Sequence, residues 1–319
     1  MRPASRGSRR PRSDKQVSRT VSKKGEHQEL GIKMSGHPYF QRQIQVSSAQ
    51  LSRNDIERLF HIVESQLKKS VTIQIDSFQG DADKKDEFSA RVREVFLISY
   101  RVNKPDGDSY AGNGVPDFSG DSFPEDVQSI YINTRIPFEA RANFPPNNFM
   151  NIFLDFKRPS LAIDFLTMPS NPTANGSEIT IEGDSESWVI ETYHKINEFL
   201  KNKSSVRYFI HFSGVYDLYL YVFVFPMYLY LLWRIQLYVP NEPLGQSLVA
   251  LVAIYLYSVL LVGLFGRLSF QYARWLYPLL EYESAAKRNT IQSQKLLIMA
   301  IFTGIGVAFL YDVLKNFLL

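Results

Sequence analysis

The last third of the chain contains three apolar runs without a charged side chain, Leu218–Trp233, Leu248–Gly266 and Leu296–Tyr311. The first two hold 16 and 19 residues, against the roughly 20 that an α-helix needs to cross a hydrocarbon core. A helix satisfies its own backbone hydrogen bonds, so such runs are stable in lipid. The pattern predicts a membrane-embedded helical hairpin, joined by the polar turn Arg234–Gly245.

The third run predicts a further transmembrane helix, which gives spans at about 215–235, 246–266 and 296–314. Val313, Leu314 and Phe317 extend its apolar surface. A re-entrant or interfacial helix is the alternative, because the run is short and Asp312 falls near its end.

Residues 40–205 read as one α+β domain with two amphipathic helices. Ser52 and Asp55 have the spacing of a capping box, and apolar residues at helical spacing follow, so a helix is expected over Arg53–Lys68. Gly183-Asp184-Ser185 begins a second helix that ends near Lys203. Its apolar stripe comprises Val189, Tyr193, Ile196 and Leu200.

Segments in which apolar and polar residues alternate predict the strands of this domain. They are Gln43–Ser47, Val71–Phe78, Val95–Val102, Ser129–Ile136, Asn151–Lys157, Leu161–Met168 and Glu178–Glu182. A loop is expected over Asn103–Asp126 and a hairpin turn at 158–160. Each amphipathic stripe needs a sheet face to cover it, so we expect a mainly antiparallel sheet with both helices on one face.

The basic character of the chain is concentrated in its leader. Residues 1–33 carry ten Lys and Arg against three acidic residues, while the rest of the chain has a net charge of −3. Residues 1–39 are therefore expected to form a basic, disordered leader, and no specific nucleic acid partner is expected. The chain has no cysteine, which excludes disulfides, thiolate metal sites and cysteine nucleophiles.

Lysine and arginine near the span ends predict the orientation. Basic residues, among them Arg207 and Lys295, precede the first span and follow the second, whereas the turn between them offers only Arg234. The positive-inside rule then places the α+β domain in the cytoplasm, together with the segment Arg267–Gln294. The expected localisation is a multi-pass membrane protein with a cytoplasmic soluble domain.

The soluble domain carries no recognisable catalytic, cofactor or metal motif. Its histidines lack metal-ligand spacing, and the acidic cluster around Asp86 and Glu87 is expected to be a polar turn. The chain has neither a phosphate-binding glycine loop nor a nucleophile elbow. We therefore predict no catalytic residue, no cofactor and no metal site.

Polar and kinking residues near the apolar runs are the best functional candidates. Asp217 and Asp312 flank the first and last runs, and Pro226 lies in the middle of the first. A charge at bilayer depth is costly and is often functional, although interfacial capping explains a charge at a span end. Gly263, Gly266, Gly304 and Gly306 would allow close helix approach, so homo-oligomerisation through these helices is expected.

Three functional hypotheses follow. The first is an integral membrane protein whose cytoplasmic domain is a binding or sensing module for an unknown protein partner or ligand, held at the lipid bilayer. The second is a small oligomeric channel or membrane-perturbing effector gated by the domain, with Asp217, Pro226 and Asp312 along its path. The third is an enzyme with an unrecognised site around His61, His194 and the loop Asn103–Asp126.

Overall fold

The computed structural model describes residues 39–80, 82–119, 122–161, 170–238 and 248–318. The strands are β1 (Phe40–Gln45), β2 (Ala49–Ser52), β3 (Ser99–Asn103), β4 (Ser109–Asn113), β5 (Ser129–Asn133), β6 (Asn148–Asp155), β7 (Glu178–Gly183) and β8 (Leu280–Glu283). The α-helices are α1 (Arg53–Asp76), α2 (Ala82–Val95), α3 (Ile136–Ala142), α4 (Glu186–Lys201), α5 (Val215–Tyr219), α6 (Phe225–Tyr238), α7 (Leu248–Leu276) and α8 (Ala285–Leu318).

Six of these strands form one antiparallel sheet in the order β1-β7-β6-β5-β3-β4. The side chains that alternate toward one face, including Ile132, Ile152 and Ile181, are fully buried. Helices α1 and α4 pack on this face and contact each other. The expected antiparallel sheet with helices on one face is therefore present.

Helix α1 begins where the sequence predicts but continues beyond the predicted end. The Ser52 hydroxyl accepts a hydrogen bond from the Asp55 amide, and the Asp55 carboxylate accepts one from the Ser52 amide at 3.0 Å, which completes the capping box. The helix then runs to Asp76, so the strand predicted at Val71–Phe78 is wrong.

The buried face of this last part of α1 is polar, which explains the error. The Ser70 hydroxyl donates to the Asn148 carbonyl at 3.0 Å, and the Gln74 side chain exchanges hydrogen bonds with Asn147. Ser70 and Gln74 continue the helical spacing of the apolar residues before them. Because they are polar, the alternation of Val71, Ile73 and Ile75 resembles a strand.

Other boundaries also differ from the sequence pattern. The acidic cluster with Asp86 belongs to α2 rather than to a turn, and α2 extends to Val95, so only the second half of the predicted strand Val95–Val102 is extended. The loop predicted at Asn103–Asp126 contains β4, which forms a hairpin with β3. Nearly all of the predicted leader and of the predicted strand Leu161–Met168 lies outside the described residues.

Helix α4 and strand β7 agree with the prediction. The Ser185 hydroxyl caps α4 by accepting from the Trp188 amide, and Val189, Ile196 and Leu200 are buried. Trp188 is also buried, and its indole N–H donates to the Gln66 carbonyl at 3.0 Å. This bond fixes α4 against α1.

Three helical stretches are long and apolar enough to cross a membrane: Val215–Arg234, Val252–Leu276 and Asn289–Ala308. The first runs through α5, a π-helical turn at Leu220–Val224, and α6. Helix α7 extends ten residues beyond the predicted span end at Gly266. Most of the described apolar side chains on these helices are exposed, as expected for surfaces that face lipid.

Candidate functional site at the junction of the domain and the membrane-length helices

The segment between α7 and α8 is built into the soluble domain. Strand β8, only four residues long, pairs in parallel with β2, and Leu51 lies opposite Tyr282. The Ala49 amide also donates to the Leu279 carbonyl at 3.0 Å. Leu51 and Leu280 are buried in the core of the domain. The domain is thus attached to the connection between two membrane-length helices, in addition to its covalent link to α5.

A buried carboxylate organises this junction. Glu281 of β8 has a side-chain exposure of 9% and forms ion pairs with three cations from separate parts of the chain. Arg158, which follows β6, lies 3.2 Å from the Glu281 carboxylate, and Lys295 of α8 lies 3.3 Å from it. Arg207 belongs to the 3₁₀-helix Val206–His211. The cluster therefore connects the sheet, the entry to α5 and the start of α8.

Aromatic rings and further hydrogen bonds hold these cations in place. The Arg158 guanidinium donates to the Trp275 carbonyl at 3.1 Å and lies over the Trp275 ring at 4.9 Å. Arg207 donates to the Gln50 side chain at 2.8 Å. Burial lowers the pKa of Arg158, although Glu281 opposes this effect. A guanidinium remains charged nonetheless, so the junction keeps its positive charge.

A cavity of about 490 Å³ lies beside this cluster. Its lining comes from both the domain and the membrane-length helices and includes Gln50, Phe156, Lys157, Arg158, Glu281, Tyr282, Ser284, Ile291, Gln292 and Lys295. Burial raises the pKa of Tyr282 to about 12, so this phenol stays protonated at neutral pH.

A second set of contacts joins the end of α7 to the 3₁₀-helix. The buried Arg274 guanidinium donates to the carbonyls of Ile210 at 3.1 Å and Asn171 at 3.0 Å. The His211 ring lies 2.7 Å from the Tyr277 carbonyl through Nε2 and 2.8 Å from the Thr173 hydroxyl through Nδ1. Since a carbonyl only accepts, Nε2 carries the proton. Burial, with a contribution from Arg274, lowers the pKa of His211.

The 3₁₀-helix exposes apolar side chains next to this junction. Val206 is 91% exposed, Phe209 is 55% exposed, and Tyr208 packs against the exposed Phe212 ring. On the same segment, Arg207 and His211 point into the protein. An apolar surface backed by inward polar groups, here the cation Arg207 and the imidazole of His211, is typical of a segment at the lipid–water interface beside membrane-length helices.

Asp217 lies in the first turn of α5 and is bound to the soluble part of the chain. Its carboxylate accepts a hydrogen bond from the Ser170 hydroxyl at 2.7 Å. This position is at the start of the first apolar stretch.

Pro226 lies two residues after the π-helical turn and is the second residue of α6. Proline lacks an amide hydrogen and its ring clashes with the carbonyl four residues earlier, so a wider turn before it relieves the conflict. The same turn packs on α7 at Gly266, where an added Cβ would lie 3.0–3.1 Å from Leu220 and Val224. Gly263, Gly304 and Gly306 have no such neighbour within the described chain.

Asp312 lies near the end of α8 and contacts α6. The Tyr230 hydroxyl donates to its carboxylate, and the Arg234 guanidinium lies 3.3 Å away. Tyr230 follows Asp217 by 13 residues, a helical rise of about 20 Å. The structure thus places Asp217 and Asp312 at opposite ends of the bundle rather than in one site.

Tyrosine hydroxyls also join α7 to the first membrane-length stretch. Tyr219 bonds to Ser269 at 2.8 Å and Tyr228 bonds to Ser258 at 2.6 Å. Helix–helix hydrogen bonding thus accounts for part of the tyrosine content of this stretch.

The histidines of the enzyme hypothesis lie on the outer surface of the helices. His61 is exposed on α1 beside Glu57 and Glu64, and His194 is exposed on α4 against Tyr193. Within the described residues, no group of three metal-ligating side chains comes together.

Comparison with known proteins does not identify this arrangement. The chain matches no protein-family model, no curated protein and no solved structure. The junction itself is therefore the feature from which a function can be inferred, and the sequence pattern did not single it out. The sequence does contain one signal that could have indicated it: Glu281 and Glu283 are acidic residues inside an otherwise basic segment between two apolar runs.

Proposed function

We propose that the protein is an integral membrane protein whose α+β domain is a binding or sensing module held against the cytoplasmic side of the bilayer. The observation that carries the proposal is the pairing of β8 with β2, together with the ion pairs of Glu281. A module that only needed an anchor would need no contact with the segment between two later spans. Here a displacement of the domain would act on α7 and α8 directly.

The open face of the sheet is the best binding surface of the module. Helices α1 and α4 cover the other face, so the side chains of alternate strand positions are left accessible. They form rows across the strands, in which Phe153 lies opposite Tyr131 and Thr180 lies opposite Gln43. A half-buried aromatic pair with polar neighbours is suited to a protein or peptide partner.

The cytoplasmic side follows from the distribution of Lys and Arg around the spans. Thiol labelling tests it, because the chain is already free of cysteine. Single cysteines at Gln43 and Asn241 would be exposed to a membrane-impermeant reagent in intact cells. We expect labelling at Asn241 alone. Labelling at Gln43 alone would place the domain outside and contradict the cytoplasmic module.

A gated channel is the second candidate, and the π-helical turn before Pro226 is the observation that favours it, since such turns often lie at functional sites. Asp312, however, has a cationic partner in Arg234, which accounts for its charge without an ion path. Ion flux through reconstituted vesicles separates the two ideas. If these residues line a channel, Asp217→Asn and Asp312→Asn should change the ion flux. A sensing module should conduct no ions, whether as the parent protein or as these variants.

A further inference from the structure

The ion-pair cluster at the junction has too few acids for its cations. Arg158, Arg207 and Lys295 have side-chain exposures of 22, 20 and 20%, and all three approach the single carboxylate of Glu281. Cations that are removed from water need compensation by anionic partners. One carboxylate leaves the cluster with an excess of positive charge.

Among the described residues, no other charged side chain that lines the cavity forms an ion pair with Arg158, Arg207 or Lys295. Lys157 and Glu283 are exposed, and Asp126 is half-buried. Glu283 already accepts a hydrogen bond from Gln50. Exposed charges are screened by water and salt, whereas the buried cluster is screened much less. The positive potential therefore persists where the cavity meets Arg158 and Lys295.

A buried donor supplies an independent observation. Ser284 lines the cavity and is 7% exposed, and its hydroxyl has no hydrogen-bond partner among the described residues. A buried hydroxyl without a partner costs free energy, so such a group calls for an explanation. An acceptor within the cavity would satisfy it.

The surroundings identify the kind of anion. Ile291, Gln292 and Lys295 of α8 line the cavity, and the exposed apolar surface of the helix begins at Leu296, which is 59% exposed. A ligand there would have its charged group beside Lys295 and its apolar part along the membrane-length helix. This is the arrangement of a phospholipid.

We propose that this cavity binds the phosphate group of an anionic phospholipid. Lys295 and Arg158 have donors beyond those used by Glu281 and Trp275, and they compensate the phosphate charge. The Ser284 hydroxyl, which is buried at the edge of the cavity, donates to another phosphate oxygen after rotation about its Cα–Cβ bond. The inference depends on the proposed function in one respect, since the proposed function places the cavity at the bilayer surface.

Native mass spectrometry of the full chain in detergent tests this site, with phosphatidylglycerol and phosphatidylcholine titrated separately. We expect tighter binding of phosphatidylglycerol. Lys295→Gln should weaken that binding about tenfold and Ser284→Ala about threefold, from the loss of a charge-assisted and a neutral hydrogen bond. Lys295→Arg keeps the charge and should bind like the parent. Lys315→Gln removes an exposed cation of the same helix and should have no effect.

A second set of titrations measures the binding of soluble glycerol phosphate and inorganic phosphate to the same variants. If they bind with the same dependence on Lys295 and Ser284 while phosphatidylglycerol does not, the phosphate site stands and the lipid assignment is wrong. If none of the variants changes any affinity, the site is wrong and the cluster serves only to join the domain to the helices. Ser284→Ala leaves all ion pairs intact, so it remains informative if Lys295→Gln misfolds. Thiol labelling reports on the membrane topology separately, so either proposal can fail alone.

Discussion

The carboxylate of Glu281, in the segment that joins two membrane-length helices, lies 3.2 Å from the guanidinium of Arg158, which follows an interior strand of the soluble domain. The two residues are 123 positions apart in the sequence. Their contact makes the domain and the membrane-length helices one packed structure rather than a module on a flexible tether.

Glu281→Gln tests how much this contact stabilises the protein. The substitution preserves the shape of the side chain but leaves three cations without their carboxylate, so we expect a loss of roughly 3 kcal/mol, the usual effect of breaking a buried ion pair. The melting temperature of the full chain in phosphatidylcholine nanodiscs measures it.

Glu191→Gln is the matched control, because Glu191 also pairs with two cations, Lys69 and Lys195, but on an exposed surface. Ion pairs of that kind contribute little. Equal melting temperatures for Glu281→Gln and Glu191→Gln would contradict a stabilising role for the junction.

Gly266→Val should separate α7 from the π-helical turn. Even a Cβ at this position meets Leu220 and Val224 at 3.0–3.1 Å, and a branched side chain adds further crowding. Overpacking of this kind costs about 1–3 kcal/mol. Gly263→Val on the same helix has open space and should change the melting temperature much less. Identical effects of the two substitutions would mean that the helices do not approach at Gly266.

His211 should make stability depend on pH. Because burial lowers its pKa in the folded state, the unfolded chain binds a proton more readily, and folding stability is lost as pH falls from the ordinary histidine value of about 6.5 through the lower folded value. Melting temperatures measured between pH 7.5 and pH 5 should therefore fall for the parent. The fall should be smaller for His211→Gln, which cannot take up the proton. An equally steep fall in His211→Gln would assign the dependence to other groups.

The exposed rings of the 3₁₀-helix should contact lipid. A spin label on Phe209→Cys is expected to collide with oxygen more often than with a water-soluble nickel chelate, because oxygen concentrates in the bilayer. Arg42→Cys, on the exposed edge strand β1, is the control and should show the opposite preference. If the spin label at position 209 showed the same preference as the one at position 42, the 3₁₀-helix would not contact lipid and the domain would not lie against the membrane surface.

The sequence predicted the elements whose buried faces are apolar and whose pattern is complete within one short segment of the chain. The capping box at Ser52 and the apolar stripes of α1 and α4 have fixed spacings, so the starts of both helices were correct. The second half of α1 was missed because Ser70 and Gln74 face the sheet through hydrogen bonds, which hydrophobic periodicity does not reveal.

The junction was not predictable for a different reason. Arg158 was expected in a turn and Arg207 and Lys295 only as orientation signals, since nothing local indicates that they meet Glu281. The pairing of β2 with β8 brings Glu281 to these cations, which are far apart in the sequence. Both strands have only four residues, and a pattern of that length is too short to be recognised. Asp217 and Asp312, which the sequence did single out, lie at opposite ends of the bundle with Ser170 and Arg234 as partners.

The most direct measurement is a cross-link between Gln50 and Glu283, whose side chains are hydrogen-bonded across β2 and β8. Cysteines at both positions, in the otherwise cysteine-free chain, would be treated in native membranes with a short bismaleimide and the chain cleaved between them. We expect the two fragments to stay joined, and fragments from the control pair Gln43→Cys and Glu283→Cys to separate. Separation of the fragments in both pairs would show that the domain is not docked on the segment between α7 and α8.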